Sequence, residues 1–243
     1  MRLLVANPNT TDAITDACAA AARAAAAPGT EIIAVTARFG PAVIASRAEN
    51  VIAGHAVLDL LAEHAGTVDA ALLAVSHDTA LDAARQIMPC PVVGMTEAAC
   101  LTACMLGGRF GLVTFGGVEL YRELMTRYGL ESRLADIIGV NAATAEADAD
   151  SIGSKVLAAA RALAAEGATS VVLAGAALAS LDNRLQEASP VPLLDGMACG
   201  VRMAELLVAL KLPKPRAGSY AALAGRQASG ISEPLGALLR GDR

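Results

Sequence analysis

Four short segments carry the residue types that could do chemistry, and each follows an apolar run that predicts a β-strand. They are Asn7–Thr11, Ser76–Thr79, Thr114–Gly117 and Gly175–Ala177. Ligands of open parallel sheets bind beyond the carboxyl ends of the strands. The four segments are therefore expected to surround one binding site.

The first segment has the composition of an anion site. Pro8, Asn9 and Thr10 come just before a predicted helix. Asn and Thr side chains can join the free N–H groups of a helix start around a carboxylate. The alternative is a capped turn, in which the same side chains bind the backbone of their own loop. The residue types fit both interpretations equally.

The second segment contains ionisable residues, in the order Ser76-His77-Asp78. Adjacent residues cannot form a catalytic triad, because a triad needs side chains that converge from separate elements. His77 is a candidate general acid or base, since histidine titrates near neutrality, and the alternative is a solvated loop side chain. Asp78 is a second candidate, although Asp78 or Thr79 could instead cap the helix predicted to follow. Glu97, at the start of a later predicted helix, is the third.

The two remaining segments consist mainly of small residues, which let a backbone approach a ligand closely. The N–H groups of a Gly-rich turn can also hold an anion. Neither GxGxxG nor GxxxxGK[ST] occurs in the sequence, so no nucleotide cofactor is predicted. The candidate substrate-binding residues of these segments are Thr114, Phe115, Gly116, Gly175, Ala176 and Ala177.

The elements that position these segments alternate between strand and helix patterns, which predicts mainly parallel sheets flanked by helices. The pattern runs twice, since PVVGMTEAAC from Pro91 returns as PLLDGMAC from Pro192. The predicted fold class is therefore α/β, with two pseudo-symmetric lobes and a cleft between them. We place the lobes at residues 1–108 and 109–196. We expect the helix from about residue 197 to pack back on the first lobe, and residues 213–243 to form a surface tail.

Composition excludes several classes of protein. The 243 residues are 55% hydrophobic and 2% aromatic with a net charge of −5, which predicts a small-residue core and no basic face for nucleic acid. No apolar run reaches the ~18 residues of a membrane-spanning helix. The first residues hold too short an apolar stretch for a signal peptide, so we expect a cytoplasmic protein. The five cysteines form no CxxC pair and no zinc set, so no metal is predicted.

Several motifs together resemble the aspartate/glutamate/hydantoin racemase superfamily, most closely its hydantoin and allantoin racemase branch. The resemblance covers nearly the whole chain and implies two lobes around one cleft, no cofactor, and assembly into a homo-oligomer. It also implies a small anionic or ureide-like substrate. The motifs are NPNT from Asn7, FGP from Phe39, Ser46-Arg47, DTALDAAR from Asp78, PVVG from Pro91 with Glu97-Ala98, Val113-Thr114, Asp195-Gly196 and GSY from Gly218.

Racemases of this kind use two cysteines, one from each lobe. One thiolate removes the proton next to a carbonyl, and the other thiol returns a proton on the opposite face. The resemblance places these thiols at positions occupied here by Val75 and Gly175, neither of which can carry a proton. The two-thiol mechanism therefore does not carry over to this chain. We retain Phe39, Val75 and Ser76 as candidate substrate-binding residues.

Three functions stay open on these observations. The first is a racemase-like isomerase of a small carboxylate or cyclic ureide, with His77, Asp78 or Glu97 as base and water on the opposite face. The second is a cofactor-free hydrolase or lyase, in which His77 or Asp78 activates water. The third is a ligand-binding protein that keeps the cleft without the chemistry. Exchange of the substrate α-hydrogen in heavy water separates the first from the others.

Overall fold

The computed structural model describes residues 1–115, 117–140, 149–175, 178 and 181–242. Strands β1 to β4 are Arg2–Asn7, Glu31–Thr36, Ala70–Leu73 and Val92–Gly94, and β5 to β8 are Arg109–Thr114, Leu134–Gly139, Ala168–Ala174 and Leu193–Asp195. Helices α1 to α5 are Asp12–Ala25, Arg47–Glu63, Leu81–Ile87, Met95–Leu106 and Glu119–Tyr128. Helices α6 to α9 are Ala149–Ala165, Leu181–Leu185, Gly196–Ala209 and Glu233–Arg240.

Each lobe is built on a four-stranded parallel sheet, and the two sheets share one strand order. The orders are β2-β1-β3-β4 and β6-β5-β7-β8. In each sheet all strands are parallel, but successive strands are added in opposite directions on the two sides of one boundary. This boundary lies between β1 and β3 in the first sheet and between β5 and β7 in the second. Such reversal points are where open α/β sheets bind ligands. The predicted α/β class with two related lobes is confirmed.

Helices α4 and α8, which carry the repeated sequences, each pack on the other lobe. Cys100 of α4 lies in the same buried cluster as Leu112 of β5. Val201 of α8 lies in the cluster of Leu72 on β3. The close approach of α8 requires a glycine at position 200, because a Cβ on Gly200 would lie 2.5 Å from Cδ1 of Leu72. The lobes thus complete each other's cores, which fixes the geometry of the cleft between them.

The C-terminal segment folds back on the first lobe. Nζ of Lys214 donates to three carbonyl oxygens at the end of α3, those of Arg85, Gln86 and Met88, at 3.1, 2.6 and 2.5 Å. Leu235 of α9 is buried in a core cluster of the same lobe. The segment was predicted as a surface tail with one possible short helix, Glu233–Leu239; that helix is present as α9 and is docked on the first lobe.

Candidate active site

A cavity of about 420 Å³ opens at the carboxyl ends of both sheets. Its walls include the loops after β1 and β3 and those after β5 and β7, which are the two reversal points. Of the residues predicted from the sequence, Asn9, Val75, Ser76, His77, Phe115 and Gly175 line it. The other described lining residues are Ala13, Ile14, Ala17, Val43, Ile44, Ala45, Ala74, Gly117, Leu120 and Tyr121.

The loop after β1 is held by hydrogen bonds among its own residues. Oδ1 of Asn9 accepts from the Thr11 N–H at 2.9 Å and from Nδ2 of Asn7 at 3.0 Å. The N–H of Asn9 donates to Oδ1 of Asn7 at 3.1 Å, and that of Thr10 donates to the Pro41 carbonyl at 3.1 Å. The N–H groups of residues 9–11 are thus occupied, although Thr11, the residue before α1, makes no side-chain cap hydrogen bond to that helix. Nδ2 of Asn9 bonds to no described residue and can donate to a ligand.

Pro8, Thr10 and Phe39, also predicted to bind substrate, are not among the described residues that line the cavity. The Phe39 ring meets that of His55 edge-on, with ring centroids 5.1 Å apart. The hydrogen bond from Thr10 to Pro41 ties the β1 loop to the segment before α2. Residues 43–45 of that segment line the cavity, and sequence reasoning missed them because they carry only apolar side chains.

His77 is the ionisable side chain that the first lobe presents to the cavity. Its Nδ1 is buried without a hydrogen-bond partner among the described groups. The ring lies against that of Tyr121, with centroids 4.9 Å apart and 34° between the planes. Burial lowers the pKa of His77 below its ordinary value of 6.5. The neutral imidazole, which can accept a proton, therefore predominates at neutral pH.

Tyr121 is a cavity residue that sequence reasoning missed. It lies on α5 of the second lobe, and its hydroxyl is 2.7 Å from Oγ of Ser76 in the first. Burial raises the pKa of this hydroxyl, so it stays protonated. Buried positions Tyr121, Leu124 and Met125 mark the inward face of α5. That spacing predicts the helix, but only the docking of the lobes brings the face to the cavity.

Asp78 does not reach the cavity. Its buried carboxylate accepts from the N–H groups of Thr96 at 3.1 Å and Glu97 at 2.8 Å. The Tyr128 hydroxyl donates a third bond at 2.6 Å. Asp78 thus caps α4, whereas α3 begins without a side-chain cap. Left-handed backbone at Asp78 (φ 46°) and Ala80 (φ 57°) accompanies the inward turn of this side chain, which the predicted α3 cap did not anticipate.

Glu97 is occupied by an ion pair and also lies outside the described cavity lining. Nη1 of Arg85 donates to its Oε1 at 3.0 Å, and Nη2 of Arg85 donates to Oε2. Burial raises the pKa of the neighbouring Asp78 to about 7, against the three hydrogen bonds that favour its charged form. The carboxylate of Asp78 therefore joins the β3 loop to α4, and that of Glu97 joins α4 to α3. Their geometry gives no support to the catalytic roles predicted for them.

The second lobe contributes Phe115 and Gly175 to the cavity. Gly175 has a φ of +134°, a conformation that is strained for any other residue. A Cβ there would lie 3.6 Å from Cβ of Phe115. Thr114 is fully buried at the end of β5 and does not line the cavity. Gly116, Ala176 and Ala177, also predicted to bind substrate, lie outside the described residues.

Among the described residues, no group of three His, Cys, Asp or Glu side chains could hold a metal ion. All five cysteines are free thiols, and none is part of the described cavity lining. Burial raises the pKa of Cys18, Cys90 and Cys199 to about 11 and that of Cys100 well above 9.0.

In the part of the chain that the structure describes, no helix is long and apolar enough to cross a membrane.

Comparison with known proteins gives matches over both lobes. The family described as Asp/Glu/Hydantoin racemase matches residues 3–204. A hydantoin racemase from Pseudomonas sp. (strain NS671) is 33% identical over 217 residues, which cover 86% of this chain and 87% of that protein. An allantoin racemase structure from Klebsiella pneumoniae has a TM-score of 0.88 at 33% identity, covering 97% of this chain and 98% of that one. Allantoin racemase from Pseudomonas fluorescens gives 0.87 at 31% identity, covering 95% and 100%.

Proposed function

The chain belongs to the Asp/Glu/hydantoin racemase family, and from this premise we propose that it is a racemase-like isomerase of small cyclic ureides with His77 as its base. One observation carries the proposal. His77 lines the interlobe cavity with a lowered pKa. A positioned base of this kind can remove a hydrogen made acidic by a neighbouring carbonyl.

The cavity suits a neutral ureide better than a free carboxylate. Its described lining contains no Lys or Arg, and the N–H groups of residues 9–11 are bound within their own loop or to the segment beside it. An unpaired carboxylate is strongly disfavoured in such surroundings. The N–H and C=O groups of a ureide ring can instead pair with the amide of Asn9 and the hydroxyl of Ser76. Hydantoin and allantoin, for which the similar racemases are named, are cyclic ureides.

The proton transfer follows from the state of His77. The neutral imidazole takes the ring α-proton, and the electron pair of the C–H bond moves into the adjacent carbonyl. The same burial that lowers the pKa of His77 disfavours the imidazolium and promotes return of the proton. Return from His77 to the same face restores the substrate. When a water molecule instead delivers a proton to the opposite face, the product is inverted, and the imidazolium gives its proton to the hydroxide that this water leaves. The Tyr121 ring holds the imidazole in place throughout.

A two-thiol route is not part of the proposal. Val75 and Gly175 line the cavity at the positions that the resemblance assigns to the thiols, and neither ionises. The proposed reaction therefore uses one protein base and no cofactor.

Hydrogen exchange in heavy water tests the proposal. The protein is incubated with allantoin and a panel of 5-substituted hydantoins, and NMR follows loss of the C5–H signal while chiral chromatography follows inversion. His77→Gln should slow exchange by about 10²–10⁴-fold. His55→Gln is the matched control, because His55 is exposed and outside the described cavity lining. No exchange across the panel, or an undiminished rate in His77→Gln, refutes the proposal.

A ligand-binding protein without turnover is the second candidate, favoured by the two unreactive strand ends at Val75 and Gly175. It predicts that a cyclic ureide binds, as measured by calorimetry, without any C5–H exchange. The hydrolase or lyase alternative keeps His77 but loses Asp78, whose carboxylate is bound away from the cavity.

A further inference from the structure

A smaller cavity of about 210 Å³ adjoins the main one and shares His77 and Leu120 with it. We call this smaller cavity the vestibule. Its remaining walls come from α2 of the first lobe and α5 of the second, which face each other across the interlobe boundary. These residues are Arg47, Asn50, Val51, Glu123 and Arg127. Because His77 and Leu120 line both cavities, the vestibule lies directly beside the main cavity.

The vestibule carries an excess of positive charge. Arg47 donates to the carboxylate of Glu123 and so bridges the two lobes. The hydrogen bond from Arg47, together with the nearby charge of Arg127, holds the pKa of Glu123 below its usual range. Within the described residues Arg127 forms no ion pair of its own. The vestibule lining thus contains two guanidinium groups and one carboxylate, and Glu119 of α5, outside that lining, also acts electrostatically on Arg47.

Asn50 adds a neutral donor to the same wall. Its Oδ1 accepts a 2.6 Å hydrogen bond from the Thr79 hydroxyl, which fixes the orientation of the amide. Its Nδ2 makes no hydrogen bond with a described residue. A guanidinium group and an amide N–H group on the walls of one cavity can pair with the two oxygens of a carboxylate.

We propose that the vestibule binds the carboxylate of an anionic substituent on the ureide ring, so that the substrate class is cyclic ureides with a short carboxyalkyl group. The inference rests on the proposed function for the position of the ring. The main cavity, with no cation in its described lining, takes the neutral ring, and the vestibule takes the charge. The ligand carboxylate pairs with Arg127 and Asn50, and it competes with Glu123 for Arg47.

Calorimetry with a matched pair of ligands tests this assignment. The pair is 5-(2-carboxyethyl)hydantoin and its methyl ester, which have the same side-chain atoms up to the carboxyl group and differ in charge. The acid should bind at least about tenfold more tightly at low ionic strength, and added salt should shrink the difference because the site is near solvent. Arg127→Gln should weaken binding of the acid about tenfold and leave binding of the ester unchanged. Arg122→Gln is the control, since Arg122 lies on the same helix but binds Asp136 outside the vestibule.

The outcomes separate this inference from the proposed function. Equal affinity for acid and ester in the wild type, or equal weakening of both by Arg127→Gln, overturns the vestibule assignment and leaves the proposed function standing. Binding of neither compound, with no C5–H exchange, overturns both. Glu123→Gln provides a second variant, which should raise the affinity for the acid by removing its competitor; no rise counts against the assignment.

Discussion

Replacing Asp78 by asparagine should change stability in opposite directions at low and high pH. The carboxylate accepts from Thr96, Glu97 and Tyr128 at 2.6–3.1 Å. Asparagine has the same shape, but its amide NH₂ cannot accept, so one buried donor loses its partner. Such a loss costs about 1–3 kcal/mol. At low pH, where the carboxyl group is protonated in both folded and unfolded states, we expect a deficit of about that size for Asp78→Asn.

The wild type loses this advantage as pH rises, because the contribution of Asp78 to its stability falls with increasing pH. Burial raises the pKa of Asp78 from 3.8 to about 7 in the folded protein. The folded state therefore holds the proton more tightly than the unfolded state. The stabilisation from this group is fully present below 3.8 and is lost as pH rises through about 7. At 1.36 kcal/mol per pH unit the complete loss is roughly 4 kcal/mol. Because asparagine does not titrate, the variant should be as stable as the wild type, or more stable, near pH 8.

Urea denaturation followed by circular dichroism, repeated from about pH 4 to about pH 8, measures both effects. The difference between the wild type and Asp78→Asn at each pH removes the contribution of every other group. Asp136→Asn is the control, because the pKa of Asp136 is lowered through hydrogen bonds from the Ile137 N–H and Arg122. Its deficit should be nearly constant over this range, because the stabilisation from a lowered pKa is already present above 3.8. A deficit of Asp78→Asn that grows with pH would show that the three hydrogen bonds outweigh burial, and the reasoning would fail.

Two further predictions concern the cavity. The value of kcat/KM for exchange should rise with pH through a midpoint below 6.5 and then level off, since burial lowers the pKa of His77, and a pH–rate profile of His77→Gln should lack this rise. Val75→Cys, in ordinary backbone, should cost less than about 1.5 kcal/mol of unfolding free energy. Gly175→Cys, at a φ of +134°, should cost about 1–3 kcal/mol in the same urea experiment, and equal costs would contradict the strain argument.

The fold follows from local signals that are explicit in the sequence. The β-branched run at Glu31–Thr36 and the apolar run at Arg109–Thr114 both form strands. Gly107 follows the end of α4 and Gly129 the end of α5, because glycine has a low helix propensity and readily adopts the backbone conformations found after a helix. The repeat beginning at Pro91 and Pro192 corresponds to β4–α4 and β8–α8. Two similar sheets then follow from chain order alone.

The site was harder to predict because it depends on loops and on lobe docking. Strand alternation predicts that Val75 and Ser76 face opposite sides, yet both line the cavity. The reason is that β3 ends at Leu73, so alternation no longer governs the following residues. Tyr121 and Arg127 come from the second lobe, and nothing local to α5 shows which residues of the first lobe it meets.

The two copies of the repeat differ in the residue that caps the N-terminus of the helix. In the second lobe Asp195 caps its own helix, accepting from the N–H of Met197 at 3.1 Å. In the first lobe the matching residue is Gly94, which has no side chain to do so. Asp78 supplies the cap to α4 from the β3 loop instead. A Cβ on Gly94 would lie 2.5 Å from Cγ of Asp78, so the missing side chain is what makes room for this arrangement.

This difference explains why the candidate base lies on the first lobe. Because Asp78 caps α4, hydrogen bonds to the start of that helix and to the Tyr128 hydroxyl hold the backbone beside it in place. His77 precedes that anchor by one residue and is held with its ring against Tyr121. At the matching strand end of the second lobe the described residue is Gly175, which has no side chain that such a cap could hold in position. The cap therefore does more than stabilise a helix, because it fixes the loop that presents His77 to the cavity.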